Sequence, residues 1–178
     1  MRATLALAAV CALGTAQATA QDITREEALA AVFPGAAIVA ERVFLTGAQQ
    51  AEAAALSGEE VPSALVARYV ARRDGRVVGR AYIDTHVVRT KRESLLIALD
   101  ADGRLRRIEV TAFLEPPEFR APGAWLRQYE GRVLDDDLAV NRAIRPIAGA
   151  TLTARASNAA ARRVLAVDAV LRAEGGAR

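Results

Sequence analysis

Five residues near the C-terminus combine the features of a phosphate-binding helix entrance. They are Gly149, Ala150, Thr151, Leu152 and Thr153, and an Ala/Arg-rich stretch of helical periodicity follows them. The first backbone N–H groups of a helix have no partner inside the helix and lie at the positive end of its dipole, so a helix entrance attracts anions. A glycine lets the backbone approach a ligand closely. The Thr151 hydroxyl adds a group that a phosphate can contact or esterify, so the segment predicts a site for a phosphorylated cofactor.

The same segment also has a structural explanation. Thr151 or Thr153 is a suitable N-cap for the final helix, with Gly149 as a turn residue before it. From the residues alone this capping role is the more common one, because short glycine–threonine segments occur often by chance. Both explanations stay open at the level of sequence.

Two further side chains are candidates for cofactor contact. His86, the only histidine, shares one face of an expected strand with Tyr82 and Asp84. It either hydrogen-bonds the cofactor or a neighbouring side chain, or it is an ordinary half-exposed strand residue. Glu115 flanks two prolines in an expected loop, where it either borders the cofactor or is a solvated carboxylate. A single histidine without cysteines nearby is a poor metal site, and we expect none.

Sequence patterns elsewhere in the chain indicate the helices and strands that must position these residues, and together they predict an α+β domain. Thr24 and Glu27 form a capping box at the start of a first helix. Period-two alternation, broken by turn signals at 74–75 and 100–103, predicts an antiparallel β-sheet meander flanked by helices. Gly79 interrupts one strand and indicates a bulge or a close contact. The expected strands of the meander cover residues 65–72, 77–88, 94–99 and 106–114.

A long C-terminal helix after the candidate site completes the expected fold. Ala160, Val164, Val167 and Leu171 recur at helical spacing and predict a buried stripe on a helix over about residues 153–173. Four arginines are expected on its outer face, and they are Arg155, Arg162, Arg163 and Arg172.

Residues 1–20 have the pattern of a secretory signal peptide. A short positively charged start precedes an apolar run over residues 5–13, and Ala18-Thr19-Ala20 has the small-x-small form of a cleavage site. We expect residues 21–178 to form a single exported, periplasmic domain. An uncleaved membrane anchor is the alternative. The only cysteine, Cys11, lies in the leader, so the expected mature domain forms no disulfide.

Composition excludes several function classes. The net charge is +3, and the basic residues are interleaved with acidic ones, which argues against a dedicated nucleic-acid surface. The sequence has no nucleophile elbow, Walker loop or dinucleotide-binding glycine fingerprint.

The segment Ile147-Ala148-Gly149-Ala150-Thr151-Leu152-Thr153-Ala154 resembles the C-terminal signature of the FMN-binding domain family. That family includes the periplasm-facing flavin subunits of the sodium-translocating NADH:quinone reductase and of the Rnf electron-transport complexes. Its motif is Asp-x-x-Ser/Thr-Gly-Ala-Thr/Ser, and a flavin transferase esterifies the last hydroxyl with the phosphate of FMN. The resemblance implies FMN on Thr151 and electron exchange with membrane or periplasmic redox proteins. It therefore favours an electron carrier over a stand-alone enzyme.

Two positions depart from this motif. Arg145 stands where the family has aspartate, and Ala148 stands where it has serine or threonine. The Gly-Ala-Thr-x-Thr core is intact, and Arg145 offers a guanidinium for a phosphate. Two alternatives therefore stay open. One is a non-covalent FMN binder or reductase, and the other is a flavin-free periplasmic accessory domain that keeps the fold.

Overall fold

A computed structural model describes residues 22–175 of the chain, so the predicted signal peptide at 1–20 lies outside the described residues. Two single-turn 3₁₀ helices, Pro117–Phe119 and Arg127–Tyr129, lie between the last strand and the C-terminal helix. In chain order the helices and strands are α1 Arg25–Val32, β1 Ala37–Phe44, α2 Gly47–Ser57, β2 Leu65–Arg73, β3 Arg76–Val87, β4 Arg92–Asp100, β5 Leu105–Phe113, α3 Gly123–Leu126 and α4 Thr151–Gly175.

The five strands form one antiparallel sheet in the order β1-β2-β3-β4-β5. This arrangement confirms the predicted α+β class and the meander, and it places β1 beside β2 as a further edge strand. The β2–β3 hairpin turns at Asp74 and Gly75, whose φ angles are 51° and 76°. Two positive φ angles are what a tight type I′ turn requires, which explains why Asp-Gly was a reliable signal.

Local signals also set the helix ends. Thr24 and Glu27 form the expected capping box on α1. Thr46 and Gln49 form another on α2, which ends at Gly58 in the left-handed conformation, where glycine is favoured.

Gly79 confirms both of the expectations attached to it. The β2–β3 register shifts beside it, as in a β-bulge. A Cβ atom at this position would overlap the Phe33 ring and the Leu99 carbonyl oxygen. The absence of a side chain therefore allows α1 to pack closely on the sheet.

Helices cover both faces of the sheet. Strand β4 is apolar on both sides, so each of its faces needs such cover. Its odd-numbered residues, such as Leu95 and Ile97, belong to the core beneath α4. Its even-numbered residues, such as Leu96 and Ala98, belong to the core beneath α1. A strand buried on both faces reads as a continuous apolar run.

Side-chain contacts fix the direction of α4 along β3. Asp168, near the C-terminal end of α4, accepts hydrogen bonds from Arg80 and Tyr82 near the start of β3. Further back along α4, Arg163 reaches Asp84. The N-terminus of α4 therefore lies at the same end of the sheet as the turn between β3 and β4, which positions the candidate site.

The prediction that four α4 arginines face solvent is wrong for two of them. Arg162 and Arg163 are half-buried. Arg162 donates to the carbonyls of Ser57 and Leu138. Such arginines bury their aliphatic stems, and their guanidinium groups donate to fixed protein acceptors. Helical periodicity alone does not distinguish this role from that of a solvated arginine. Arg155 and Arg172 are exposed, although Arg172 donates to Asp168.

Among residues 22–175, no helix has both the length and the apolar composition needed to cross a membrane.

Candidate functional site

The helix after the candidate segment begins without a side-chain cap. The Ala150 carbonyl accepts the first helical hydrogen bond, from the Ala154 N–H at 3.1 Å, and α4 starts at Thr151. Ala150 therefore occupies the cap position, and the prediction that Thr151 or Thr153 is the N-cap is wrong. In the described part of the chain, no side chain accepts from the N–H groups of residues 151–153. Those donors stay available to a ligand.

Gly149 has a φ of 77°, in the left-handed region that L side chains rarely adopt. No atom lies within 4 Å of the position that a Cβ would occupy. The glycine is therefore required by backbone conformation and leaves open space in front of the helix entrance.

The two threonines of the segment differ in their environments. Thr153 is 1% exposed, and its hydroxyl donates to the Phe119 carbonyl at 2.7 Å. Thr151 is exposed, and within residues 22–175 its hydroxyl has no hydrogen-bond partner. Thr153 thus anchors α4 to the loop after β5, whereas Thr151 presents the accessible hydroxyl.

A pocket of about 250 Å³ opens beside this helix entrance. It brings the five candidate residues, 149–153, together with Glu115, which precedes them by more than thirty residues in the sequence. Its other walls are Val88, Arg89 and Phe119. Arg89 is the functional candidate that sequence reasoning missed, because only the folded β3–β4 turn places this basic residue in the wall of the same pocket as the N-terminus of α4.

Glu115 holds that turn in place. Its Oε1 accepts from the backbone N–H groups of Arg89, Thr90 and Lys91 at 3.2, 2.6 and 2.7 Å. Because the ionised form gains these bonds, the pKa of the Glu115 carboxyl is lowered. The interpretation of Glu115 as a solvated carboxylate is wrong, since the residue is 8% exposed. Glu115 is a wall of the pocket and the support of Arg89.

His86 lies away from the pocket walls and between two carboxylates. Its Nδ1 is 2.9 Å from Asp84 Oδ1 and its Nε2 is 3.0 Å from Glu93 Oε2. Burial lowers the pKa of His86, but the hydrogen bonds with Asp84 and Glu93 outweigh it and raise the pKa to about 9. The ring is therefore an imidazolium that donates from both nitrogens. His86 is a partly exposed residue of β3, and its side chain is 12% exposed. Of the roles predicted for it, the structure contains the hydrogen bonds with neighbouring side chains.

His86 belongs to a cluster of charges that joins β3 and β4 to α4. Arg163 donates to both oxygens of Asp84, at 2.7 and 2.9 Å. Burial raises the pKa of Asp84, but the hydrogen bonds from His86 and Arg163 outweigh it and lower the pKa to about 2. Ser157 lies 3.5 Å from the wholly buried Glu93, whose Oε1 has no hydrogen-bond partner among the described residues. The α4 residues of the cluster, Ser157 and Arg163, lie about 9 and about 18 Å along the helix axis from Thr151.

Arg145 does not belong to the pocket walls. It is exposed, its N–H donates to Gln128 Oε1 at 2.9 Å, and its carbonyl accepts from the Trp125 indole at 2.7 Å. The Trp125 ring packs edge-on against Tyr129 at 5.6 Å. This segment therefore supports the loop before α4, while Arg89 is the cation at the pocket.

No known family model matches the chain, and searches of curated proteins and of solved structures also return no match.

Proposed function

We propose that this chain is an exported electron-transfer protein that carries FMN on the Thr151 hydroxyl. The observation that carries the proposal is the accessible hydroxyl of Thr151 at the first position of an uncapped 25-residue helix, at the wall of a pocket. The motif resemblance identifies the same hydroxyl independently of this geometry.

The chemistry of the donors fits a phosphate. Unpaired N–H groups at the start of α4, the open space before Gly149 and the Arg89 guanidinium all favour an anion at this position. An anion at a helix N-terminus gains only about 0.3–1 kcal/mol when exposed and up to ~2 kcal/mol when partly buried. Because 1.4 kcal/mol corresponds to about a tenfold change in affinity, the helix alone supplies about thirtyfold at most. An ester bond retains a cofactor that this electrostatic term would not retain.

Formation of the ester requires an activated flavin nucleotide. In a flavin dinucleotide, Thr151 Oγ1 attacks the flavin-side phosphorus, the P–O–P bond breaks, a nucleoside monophosphate leaves and the hydroxyl proton is released. A flavin transferase is the partner that would catalyse this step. The product leaves the flavin ring unmodified, and the bound group supplies redox chemistry that protein side chains lack.

The pocket offers no free acid or base for a reaction of its own. Glu115 is committed to three backbone N–H groups, and Thr153 is committed to the Phe119 carbonyl. Electron exchange needs neither, so the arrangement supports a carrier that passes electrons between membrane or periplasmic redox proteins.

The test is co-expression of the full chain with a periplasmic flavin transferase, followed by denaturation. We expect flavin fluorescence and an FMN-sized mass increment to stay with the polypeptide. Thr151→Ala should lose both, whereas Thr151→Ser, which retains a hydroxyl, should keep them.

Two outcomes would contradict the proposal. Flavin that is released completely on denaturation would indicate a non-covalent binder or reductase. A colourless wild-type protein, purified beside an active transferase, would indicate a flavin-free accessory domain.

A further inference from the structure

A second depression adjoins the pocket and follows the exposed side of α4. Its volume is about 530 Å³. Val88 and Leu152 line both depressions, so the two share a wall. The remaining walls of this groove are Glu59, Val140, Asn141, Arg155, Ala156, Asn158 and Ala159. We refer to it as the α4 groove.

The sizes of the two depressions suit the two ends of a phosphorylated cofactor. Sites for drug-sized ligands are usually about 300–1,000 Å³, so the pocket at Thr151, with about 250 Å³, is small for a ring system and a phosphate together. The α4 groove lies within that range. A cofactor attached at the pocket therefore needs the neighbouring space for its ring.

Helix geometry directs a group attached at Thr151 toward this groove. Residues four positions apart lie on the same side of a helix, so Thr151, Arg155 and Ala159 form one row. Ala156, beside this row, also lines the groove. The alanines leave a low surface on which a planar ring can lie.

Arg155 is the charged residue of this row. It is exposed, and within residues 22–175 its guanidinium forms no hydrogen bond or ion pair. The guanidinium groups of Arg162, Arg163 and Arg172 all have acceptors within the protein. Arg162 donates to backbone carbonyls, Arg163 to Asp84 and Arg172 to Asp168. The cation of Arg155 is thus available to a ligand in the groove.

We propose that Arg155 raises the reduction potential of a flavin attached at Thr151 by facing its ring in the α4 groove. The inference rests on the proposed function. Two-electron reduction with uptake of one proton leaves a negative charge on a flavin ring, and a guanidinium, which is always protonated, stabilises that charge. Glu59 is the one carboxylate on the groove wall, and it acts in the opposite direction.

The potential is measured on flavin-loaded protein by spectroelectrochemical titration with dithionite and reference dyes. Arg155→Gln should shift the midpoint to a more negative value, and Glu59→Gln should shift it to a more positive value. A tenfold loss of preference for the reduced form corresponds to about 30 mV for a two-electron couple. Arg145→Gln removes an exposed cation from outside both depressions and should leave the potential unchanged.

The position of the ring has its own readout. Ala159→Trp should alter the visible circular dichroism of the flavin while the FMN-sized mass increment is retained. Ala173→Trp places the same side chain on an exposed position of the last turn of α4 and should leave the spectrum unchanged.

The two levels of the proposal fail in different ways. A wild-type chain without flavin would overturn the proposed function and this inference together. A loaded chain whose potential is the same in wild type and in Arg155→Gln, with a spectrum insensitive to Ala159→Trp, would overturn only the assignment of the α4 groove.

Discussion

The wholly buried carboxylate of Glu93 lies opposite His86 on the neighbouring strand, with 3.0 Å between Oε2 and Nε2. Asp84 binds the other ring nitrogen and also pairs with Arg163, so two cations lie against the two carboxylates. Because these charged groups are buried together, the stability of the fold depends on the protonation of a single residue, His86.

We predict that stability falls at alkaline pH because of His86. Its pKa is about 9 in the folded chain and about 6.5 when unfolded. The folded state therefore binds the proton more tightly, and this contribution is fully present below about pH 6.5 and is lost as the pH rises through about 9. It amounts to up to about 3 kcal/mol. Urea unfolding at several pH values between 6 and 10 measures it, and His86→Gln should remove this slope.

Replacement of Asp84 by asparagine should cost about 3–5 kcal/mol, because it leaves the half-buried Arg163 and His86 cations without their shared partner. Asp84 is stabilising above about pH 4, its unfolded pKa, and its contribution is lost as the pH falls through the folded pKa of about 2.

The matched control for Asp84→Asn is Asp102→Asn, because Asp102 pairs with Arg104 at the surface, where such pairs contribute less than about 1 kcal/mol. Equal losses in urea unfolding of the two variants would contradict the importance of the buried cluster.

Glu115→Ala should free the β3–β4 turn. The three N–H groups of residues 89–91 then lose their acceptor, so their amide hydrogen exchange should accelerate at least tenfold. Glu118→Ala removes an exposed carboxylate of the same loop and should leave the exchange unchanged. If exchange at residues 89–91 is equally fast in wild type, Glu115 does not order the turn.

Arg89→Gln should weaken capture of the flavin nucleotide. Arg89 lines the pocket, and a hydrogen bond to a charged group is worth about 1.5–3 kcal/mol, so a loss of about tenfold is expected at this exposed position. The rate of FMN loading by the transferase, followed by mass, measures this effect at limiting flavin. Arg145→Gln, which lies outside the pocket, should load at the wild-type rate.

Gly79→Ala should destabilise the fold by about 2 kcal/mol or more, since the new methyl group meets the Leu99 carbonyl and the Phe33 ring. At Gly123, a Cβ has nothing within 4 Å, so Gly123→Ala in the first turn of α3 should be neutral or slightly stabilising. Thermal unfolding of the two variants distinguishes steric contact from a general effect of losing glycine.

Local chemistry made several elements predictable. The capping box at Thr24, the Asp74-Gly75 turn and the strand predicted from alternation over residues 106–114 each depend on residues close in sequence. The structure contains all three, the last as β5. The C-terminal helix was also predictable, although it begins at Thr151 and extends to Gly175, two residues beyond each expected end.

The roles of individual polar side chains were not predictable in the same way. Arg163 was expected on the outer face of α4, and solvation was one of the alternatives for Glu115 and His86. In the structure each binds partners that are distant in sequence, such as Asp84 for Arg163 and the residue 89–91 amides for Glu115. Sequence spacing does not reveal such partners, because they meet only when α4 lies along β3.

The sequence by itself determined the class of the domain and the order of its elements, and it indicated the Gly149–Thr153 segment as a candidate place for a phosphate, since these depend on periodicity, turn chemistry and helix termini. Only the tertiary structure decided which threonine is accessible. It buried Thr153 against the Phe119 carbonyl, left Thr151 exposed and brought Arg89 to the same pocket. The physical reason is that burial and ion pairing depend on the packing of α4 against the loop after β5 and the β3–β4 turn, and no local pattern encodes those distances.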